Sequence, residues 1–311
     1  MRASRLPLAV LAAGFAAGTA GLAYSFAEAH AYALRRFTLP VLPPGSPSLR
    51  VLHVSDLHLT PSQHRKATWF AGLAALEPDL VISTGDTIAH RDVVPVALEA
   101  HAALFERPGV FALGSNDYYE PRPKNPARYL QTRTHKRVIG KRLPTDDLVK
   151  GYLDAGWLDL TNQRGSLTVR GLRLDFVGVD DPHLGYDRYD RVAGPADPDA
   201  ALTVGVVHAP YRRVLDRMVA DGAGLLIAGH THGGQLCLPV VGALTTNCDL
   251  PRSMAKGVST WHLGGPEAAR TPITPAAPLH VSAGIGTSPY TVVRFACRPE
   301  ASLLTLTARA A

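Results

Sequence analysis

The sequence predicts a layered α/β domain, and three observations carry that prediction. Short apolar runs rich in β-formers alternate with stretches of helical spacing along most of the chain. Each run stops at polar or glycine residues, as a buried strand does where it meets a loop. Of the 311 residues 46% are hydrophobic and 19% charged, enough apolar material for one large core and too much for a disordered chain.

Leu49–Val54 is the first of these runs and reads as a strand. Lys66–Leu76 then reads as helix, Asp79–Ser83 as strand, Asp92–Phe105 as helix and Gly109–Leu113 as strand, a β-α-β-α-β series. Asp146–Ala155 is a further helix, followed by strands at Leu158–Thr161, Ser166–Val169 and Leu172–Val179, the last two joined as a hairpin at Arg170-Gly171. Leu202–Val207, Leu225–Ala228 and Leu279–Ser282 are strands, with helix Tyr211–Asp221 between the first two, and Thr291–Thr307 offers two more. There is no internal repeat and no break that divides the body, so 49–311 reads as one domain. The proline- and glycine-rich residues 37–48 read as an extended linker ahead of it.

Upstream, Arg2 and Arg5 precede Leu6–Ala27, a 22-residue stretch without a charge. About 20 apolar residues cross a bilayer as a helix, so residues 1–36 read as an uncleaved single-span anchor at the cell membrane. Small residues at Ala27 and Ala29 leave a cleaved signal as the alternative. Arg35 and Arg36 are offset by Glu28, so the positive-inside rule places the body outside the cytoplasm. The net charge of +6 is local: residues 118–142 hold eight Lys or Arg against Glu120 alone. This insertion, with Arg122, Lys124 and Arg128, reads as a flap that meets an anionic substrate or lipid headgroups. A nucleic-acid channel is not expected, because only Tyr118, Tyr119 and Tyr129 are available there for stacking. Three cysteines without a C-x-x-C pair exclude a disulfide framework or a Cys-rich zinc module; Cys237 and Cys248 are left as a pair or as free thiols.

The chemistry gathers where the strands stop, which is where layered α/β folds bind ligands. Asp56-x-His58, Gly85-Asp86, Asn116-Asp117, His208 and His230-Thr231-His232 each follow an apolar run. Carboxylates, imidazoles and an amide are the oxygen and nitrogen donors that suit Zn, Mn or Fe. Residues i and i+2 of an extended segment point the same way, so Asp56 with His58, and His230 with His232, can approach a common centre. Gly85, Gly114, Gly229, Gly233 and Gly234 allow the close backbone turns such a centre needs. His53, His64, His90, His101, His135, His183, His262 and His280 lack this context and are read as structural.

From Leu49-Arg-Val-Leu-His-Val-Ser-Asp-Leu-His58 onwards, this ordered set resembles the calcineurin-like metallophosphoesterase family, and Gly229-His-Thr-His-Gly-Gly-Gln235 is its most specific block. Thr246-Asn-Cys-Asp-Leu-Pro-Arg252 and Ala283-Gly-Ile-Gly-Thr-Ser-Pro-Tyr290 resemble a membrane-associated bacterial branch of the family. The resemblance implies a four-layer α-β-β-α sandwich with two divalent ions (Mn, Zn, Fe or Mg). It implies that Asp56, His58 and His232 hold one ion, Asp86 bridges, and Asn116, His208 and His230 hold the other. It further implies a metal-bridging hydroxide that attacks phosphorus in line.

One block departs from the family pattern. The family usually has Gly-Asn-His followed by an acid, with the Asn as ligand and the His beside the leaving group; this chain reads Gly114-Ser115-Asn116-Asp117. Either Ser115 takes the ligand place, or a one-residue shift keeps Asn116 as ligand and puts Asp117 in the place of the His; an amide oxygen is the better ligand, which favours the shift. The expected activity is a phosphodiesterase on a phosphoester substrate, lipid-linked if the anchor bears on it. The alternatives are a pyrophosphatase on a lipid-linked or nucleotide diphosphate, or a non-catalytic descendant that binds a phosphorylated ligand.

Overall fold

The computed structural model describes residues 5–123, 139–270 and 274–310. The chain runs through helix α1 (Arg5–Glu28), strands β1 (Ala33–Leu42) and β2 (Leu49–Val54), helix α2 (His64–Ala71), strand β3 (Leu80–Ser83), helix α3 (Val94–His101) and strand β4 (Gly109–Phe111). A single helical turn α4 (Ser115–Tyr118), helix α5 (Thr145–Asp154) and strands β5 (Leu158–Asp159), β6 (Arg164–Val169), β7 (Leu172–Gly178) and β8 (Leu202–Val207) follow. Helix α6 (Arg212–Ala220) and strands β9 (Leu225–Ala228), β10 (Cys237–Leu238), β11 (Gly242–Ala243), β12 (Gly257–His262), β13 (Ala276–Val281) and β14 (Glu300–Ala308) complete it.

Two six-stranded sheets, ordered β1-β14-β2-β3-β4-β5 and β12-β13-β9-β8-β7-β6, lie face to face. Leu49, Val51, Leu80, Ile82 and Val110 of the first pack against Leu174, Phe176, Val204, Val206 and Ile227 of the second, all buried. Side chains alternate along a strand, so Leu52, Val81 and Phe111 face the other way and take Phe70 of α2, Ala97 of α3, and Leu148 and Tyr152 of α5. On the far side, Val177, Val207 and Leu226 take Val214, Leu215 and Met218 of α6. The result is the α-β-β-α order of layers. β2, β3 and β4 run parallel, as do β7, β8 and β9, so both sheets turn carboxyl ends of parallel strands towards one edge of the sandwich. The β6–β7 turn closes at Arg170 and Gly171 with φ of 50° and 80°, a mirror-image turn that matches strand twist.

Two expectations are corrected here. Residues 37–42, read as linker, belong to strand β1, which pairs in parallel with β14 from Ala33↔Glu300 to Pro40↔Thr307. β1 is an edge strand, where a proline's missing N–H leaves no gap in a ladder, and the register shifts between Pro40 and Leu42. Local composition shows the prolines, but the partner strand is over 260 residues away.

The single-span anchor and the cell-membrane localisation are also overturned: among the described residues, no helix is long and apolar enough to cross a membrane. The end of α1 is spent on the body instead. Ser25, Glu28 and Ala29 are buried, the Ser25 carbonyl accepts from the Arg294 N–H at 3.0 Å, and Tyr24 sets its edge on Phe295 with ring centroids 5.3 Å apart. Of the basic insertion, residues 124–138, with Lys124 and Arg128, lie outside the described residues, while Arg122 is exposed. The two stems of the insertion pair through Tyr119 and Arg142.

Phe176, fully buried between the sheets, tests the packing. Phe176→Ala is expected to cost about 3–5 kcal/mol, read as a lower urea midpoint at unchanged slope. A loss below about 1 kcal/mol would show that this ring does not seal the sheet interface.

Candidate metal centre

The loops after β2, β3, β4, β8 and β9 bring the expected residues to one place. Asp56, His58 and His232 offer ligand atoms that all lie within 4.8 Å of one another, and so do Asp56, Asp86 and His208. Asp86 Oδ2 sits 3.5 Å from His58 Nε2 and 3.5 Å from His208 Nε2, which places this carboxylate between the two histidines. His230 joins through its Nδ1, 3.3 Å from His208 Nε2, and its backbone N–H donates to Asp56 Oδ2 at 3.0 Å. Asn116 touches Asp86 twice, with its backbone N–H donating to Oδ1 and its side-chain Nδ2 to Oδ2, both at 2.7 Å. The amide nitrogen, not the oxygen, faces that carboxylate.

The backbone pays for this convergence. Asp56, His58, Asp86, His230 and His232 have φ of 51°, 43°, 53°, 70° and 49°, in the left-handed region that side-chain-bearing residues avoid. Each such residue costs about 1–3 kcal/mol and persists only where its surroundings hold it. Gly114 and Gly229 allow the close approach. A Cβ on Gly114 would meet Asp86 Oδ1 at 2.3 Å, and one on Gly229 would meet Ser55 Oγ at 1.9 Å.

Hydrogen bonds assign the rings. His208 Nδ1–H donates to the Thr84 carbonyl at 2.7 Å, and His230 Nε2–H to the Asn247 carbonyl at 3.2 Å, which bares His230 Nδ1 towards the cluster. His232 Nδ1–H donates to the Gly286 carbonyl at 3.2 Å, so its bare Nε2 lies 3.4 Å from Asp56 Oδ1 and 3.1 Å from His58 Nε2. Burial lowers His58 to about 4 and holds His230 and His232 well below the usual imidazole range. These three rings are neutral at neutral pH, the state in which imidazole binds a cation. Burial opposes charge on His208 as well, but Asp86, Asp56 and Asp181 together push it up to about 9. Burial raises Asp56 to about 6 against the pull of His208. Burial also acts to raise Asp86, yet His208, His58 and the Asn116 bonds outweigh it, and its pKa is lowered.

The donor set fits a divalent cation. Asp56 Oδ1 and His58 Nδ1 are buried without a hydrogen-bond partner among the described residues, and Asp56 Oδ1 lies beside the bare Nε2 of His232. A buried carboxylate oxygen without a donor is costly, and a cation between it and the imidazoles would satisfy it.

Asp117, which the shifted alignment puts in the place of the family's histidine, is not free at the reacting edge. It is fully buried, and both oxygens are taken by main-chain donors: Oδ1 accepts from Thr87 and Ile88 at 2.7 and 3.3 Å, Oδ2 from Asp86 and Gly114 at 2.7 and 2.9 Å. The carboxylate staples the Gly85–Ile88 loop to the start of α4. Burial and the charge of Asp86 push it up to about 7 against these bonds.

Other participants carry no local signal in the sequence. Ser55 Oγ–H donates to Asp56 Oδ2 at 2.5 Å, Thr84 Oγ1–H to Ser55 Oγ at 2.7 Å, and His53 Nε2 meets Thr84 Oγ1 at 2.9 Å. His53 Nδ1 in turn meets His280 Nδ1 at 2.9 Å, so a chain of hydrogen bonds reaches Asp56 from β13. Buried Lys66 donates to the carbonyls of Leu57 and His58 at 2.9 and 3.2 Å and steadies that loop. His183 leans on His230 with ring centroids 4.4 Å apart and planes tilted by 48°, and its Nδ1 lies 3.0 Å from Tyr211 Oη. Buried Cys237 has Cys297, not Cys248, as its thiol neighbour.

An α/β sandwich with buried carboxylates and imidazoles meeting at its strand ends is the architecture of a metal-dependent phosphoester hydrolase. A family profile described as calcineurin-like phosphoesterase matches residues 49–234, and the chain belongs to that family, whose members typically work with a pair of metal ions. It is 27% identical over 229 residues to the uncharacterized protein YpbG of Bacillus subtilis (strain 168), covering 71% of this chain and 75% of that one. To the uncharacterized metallophosphoesterase YkuE of the same bacterium it is 24% identical over 310 residues, 95% and 93% of the two chains. A transmembrane protein with metallophosphoesterase domain from Bos taurus is 26% identical over 199 residues, 63% of this chain and 43% of that protein.

Asp117→Asn separates the staple from an acid. Its amide presents an NH2 group to two of the four donors, an expected loss of about 1–3 kcal/mol for each bond left unmade, measured as a fall in urea midpoint. An unchanged midpoint with activity lost would sink the staple.

Proposed function

We propose that this chain is a metal-dependent phosphodiesterase. The observation that carries the reading is the partnerless, buried Asp56 Oδ1 facing the bare Nε2 of His232, with Asp86 held between His58 and His208. In this reading Asp56, His58 and His232 hold one divalent cation, Asp86 reaches both, and Asn116, His208 and His230 hold the second. When bound, such a pair supplies Lewis acidity to a phosphoryl oxygen and a water nucleophile active near neutral pH. Asn116 would turn its amide to present the oxygen, a rotation that needs no backbone change.

The charge around the cluster favours a diester. A phosphodiester carries one negative charge, whereas a monoester carries about 1.5 to 2 at neutral pH. The donors gathered here are mostly neutral imidazoles and an amide, and the nearby cations Lys66 and Arg294 are committed to main-chain carbonyls. The Gly114-Ser115-Asn116-Asp117 block leaves no histidine at the family's leaving-group position, and Asp117 is occupied by backbone amides. Turnover then depends on how readily the leaving group departs unprotonated.

Full-length protein stripped of metal and reloaded with Mn, Zn, Mg or Fe should hydrolyse bis-p-nitrophenyl phosphate, faster than the monoester, and Asp86→Asn should abolish turnover. A folded protein that binds two ions and turns over nothing would overturn the enzyme reading; faster monoester cleavage would overturn the diesterase. An alkyl diester should be slower than the nitrophenyl ester by at least about 10²-fold, the usual worth of general-acid help, and equal rates would show a proton donor in place.

A further inference from the structure

We propose that Arg294 is the positioning residue for His232, fixing which ring nitrogen carries the proton and where the bare one points. The proposal rests on the metal-centre reading above. Arg294 is a guanidinium with 0% exposure, placed behind the cluster by the segment that leads to β14. Its Nη2 donates to the carbonyls of Ala283, Gly284 and Gly286 at 2.8, 3.1 and 2.7 Å, and Nη1 reaches the carbonyls of His232 and Cys297, both at 3.4 Å. Its Nε is left without an acceptor among the described residues. A charge buried against carbonyls in this way is expensive to keep unless its geometry matters.

The geometry bears on His232 through one carbonyl. The Gly286 carbonyl that Arg294 grips accepts His232 Nδ1–H at 3.2 Å. Arg294 Nη2 stands 3.3 Å from the same nitrogen, but a guanidinium only donates, and its two Nη2 hydrogens have nearer acceptors in the carbonyls at 2.7 and 2.8 Å. The same turn is tied to the other ligand loop, since Gly286 N–H donates to the Asp56 carbonyl at 2.6 Å and Ile285 N–H to the Ser55 carbonyl at 3.0 Å. A planar guanidinium fixes the directions of its N–H groups, so it holds the carbonyls of this turn in one orientation, which a freely rotating ammonium does not impose. With the proton held on Nδ1, the Nε2 lone pair of His232 faces Asp56 Oδ1. Partners of this kind set the tautomer and direction of a ligating imidazole, and their loss typically lowers metal affinity about 10–100-fold.

The test uses the full chain and Mn²⁺ alone, with no substrate. In wild type, long-range ¹H–¹⁵N correlation on histidine-labelled, metal-free protein should show His232 protonated at Nδ1. Calorimetric titration of Arg294→Met should show one of the two ions weakened about 10–100-fold with the other unchanged, and Arg294→Lys should recover part of the loss. A His232 proton on Nε2 in wild type overturns the proposal, whether or not the variants fold. So does an Arg294→Met that folds and keeps both affinities, or one in which both ions weaken alike, since a general loosening of the fold would do that.

Discussion

Burying Asp56 and Asp86 within one another's reach at the meeting edge of two sheets is unfavourable unless the chain around them cancels their charge, and much of the molecule answers to that requirement. Without a cation, these two carboxylates and Asp181 favour a proton on His208, one that a metal bound there would displace. The backbone N–H groups of His230 and Asn116 are turned onto their oxygens. Asp56 Oδ1 is left without a hydrogen-bond donor among the described residues and faces the His232 imidazole. Charge that the protein leaves uncancelled at that atom is what a divalent cation would neutralise.

Those backbone donors can be presented only if the loops leave their strands at sharp angles. Five of the cluster's residues therefore adopt left-handed φ, and the strain is contained by the parallel strands below and by staples above. Asp117 ties the loop after β3 to the turn after β4, Lys66 ties the loop after β2 to α2, and Arg294 ties the Gly284–Gly286 turn to His232. Each is a buried ionisable group whose bonds go chiefly to main-chain atoms, Lys66 adding the Gln63 side-chain oxygen. Such groups fix shape because their bonds are directional, which apolar packing is not. The sandwich supplies the stability and the polar staples supply the geometry.

Much of this was legible before the fold was known. Leu202–Val207 and Leu225–Ala228 are largely apolar because they are buried on both faces, Leu49–Val54 is buried except at Arg50, and the bounds of all three coincide with β8, β9 and β2. The convergence of Asp56, His58, Asp86, His208, His230 and His232 followed from their place after such runs. Edge strands were harder. β12 alternates between half-buried and exposed positions over most of its length and is not among the strands the sequence predicts, and β1, punctuated by proline, reads as linker until its partner is in view. The apolar stretch before them had the length of a span, yet its last turn is drawn onto the body by Ser25, Glu28 and Ala29. Composition measures apolarity but not which surface a helix will meet.

Asp117 marks the division most plainly. Its neighbours in the chain suggested an acid at the reacting edge, but its two oxygens are taken by amides from Asp86, Thr87, Ile88 and Gly114, three of them about thirty residues distant. His53 and His280 stood apart as structural residues and turn out to be linked through Thr84 and Ser55 to Asp56, across 227 residues of chain. The kinds of donor, their order and their position after strands are properties of short segments and can be read from them directly. Which oxygen is occupied, which ring nitrogen is bare and which buried cation serves which carbonyl depend on atoms that meet only when the two sheets close. Hydrogen bonds are decided over tenths of an ångström, a precision that folding sets and local pattern does not carry.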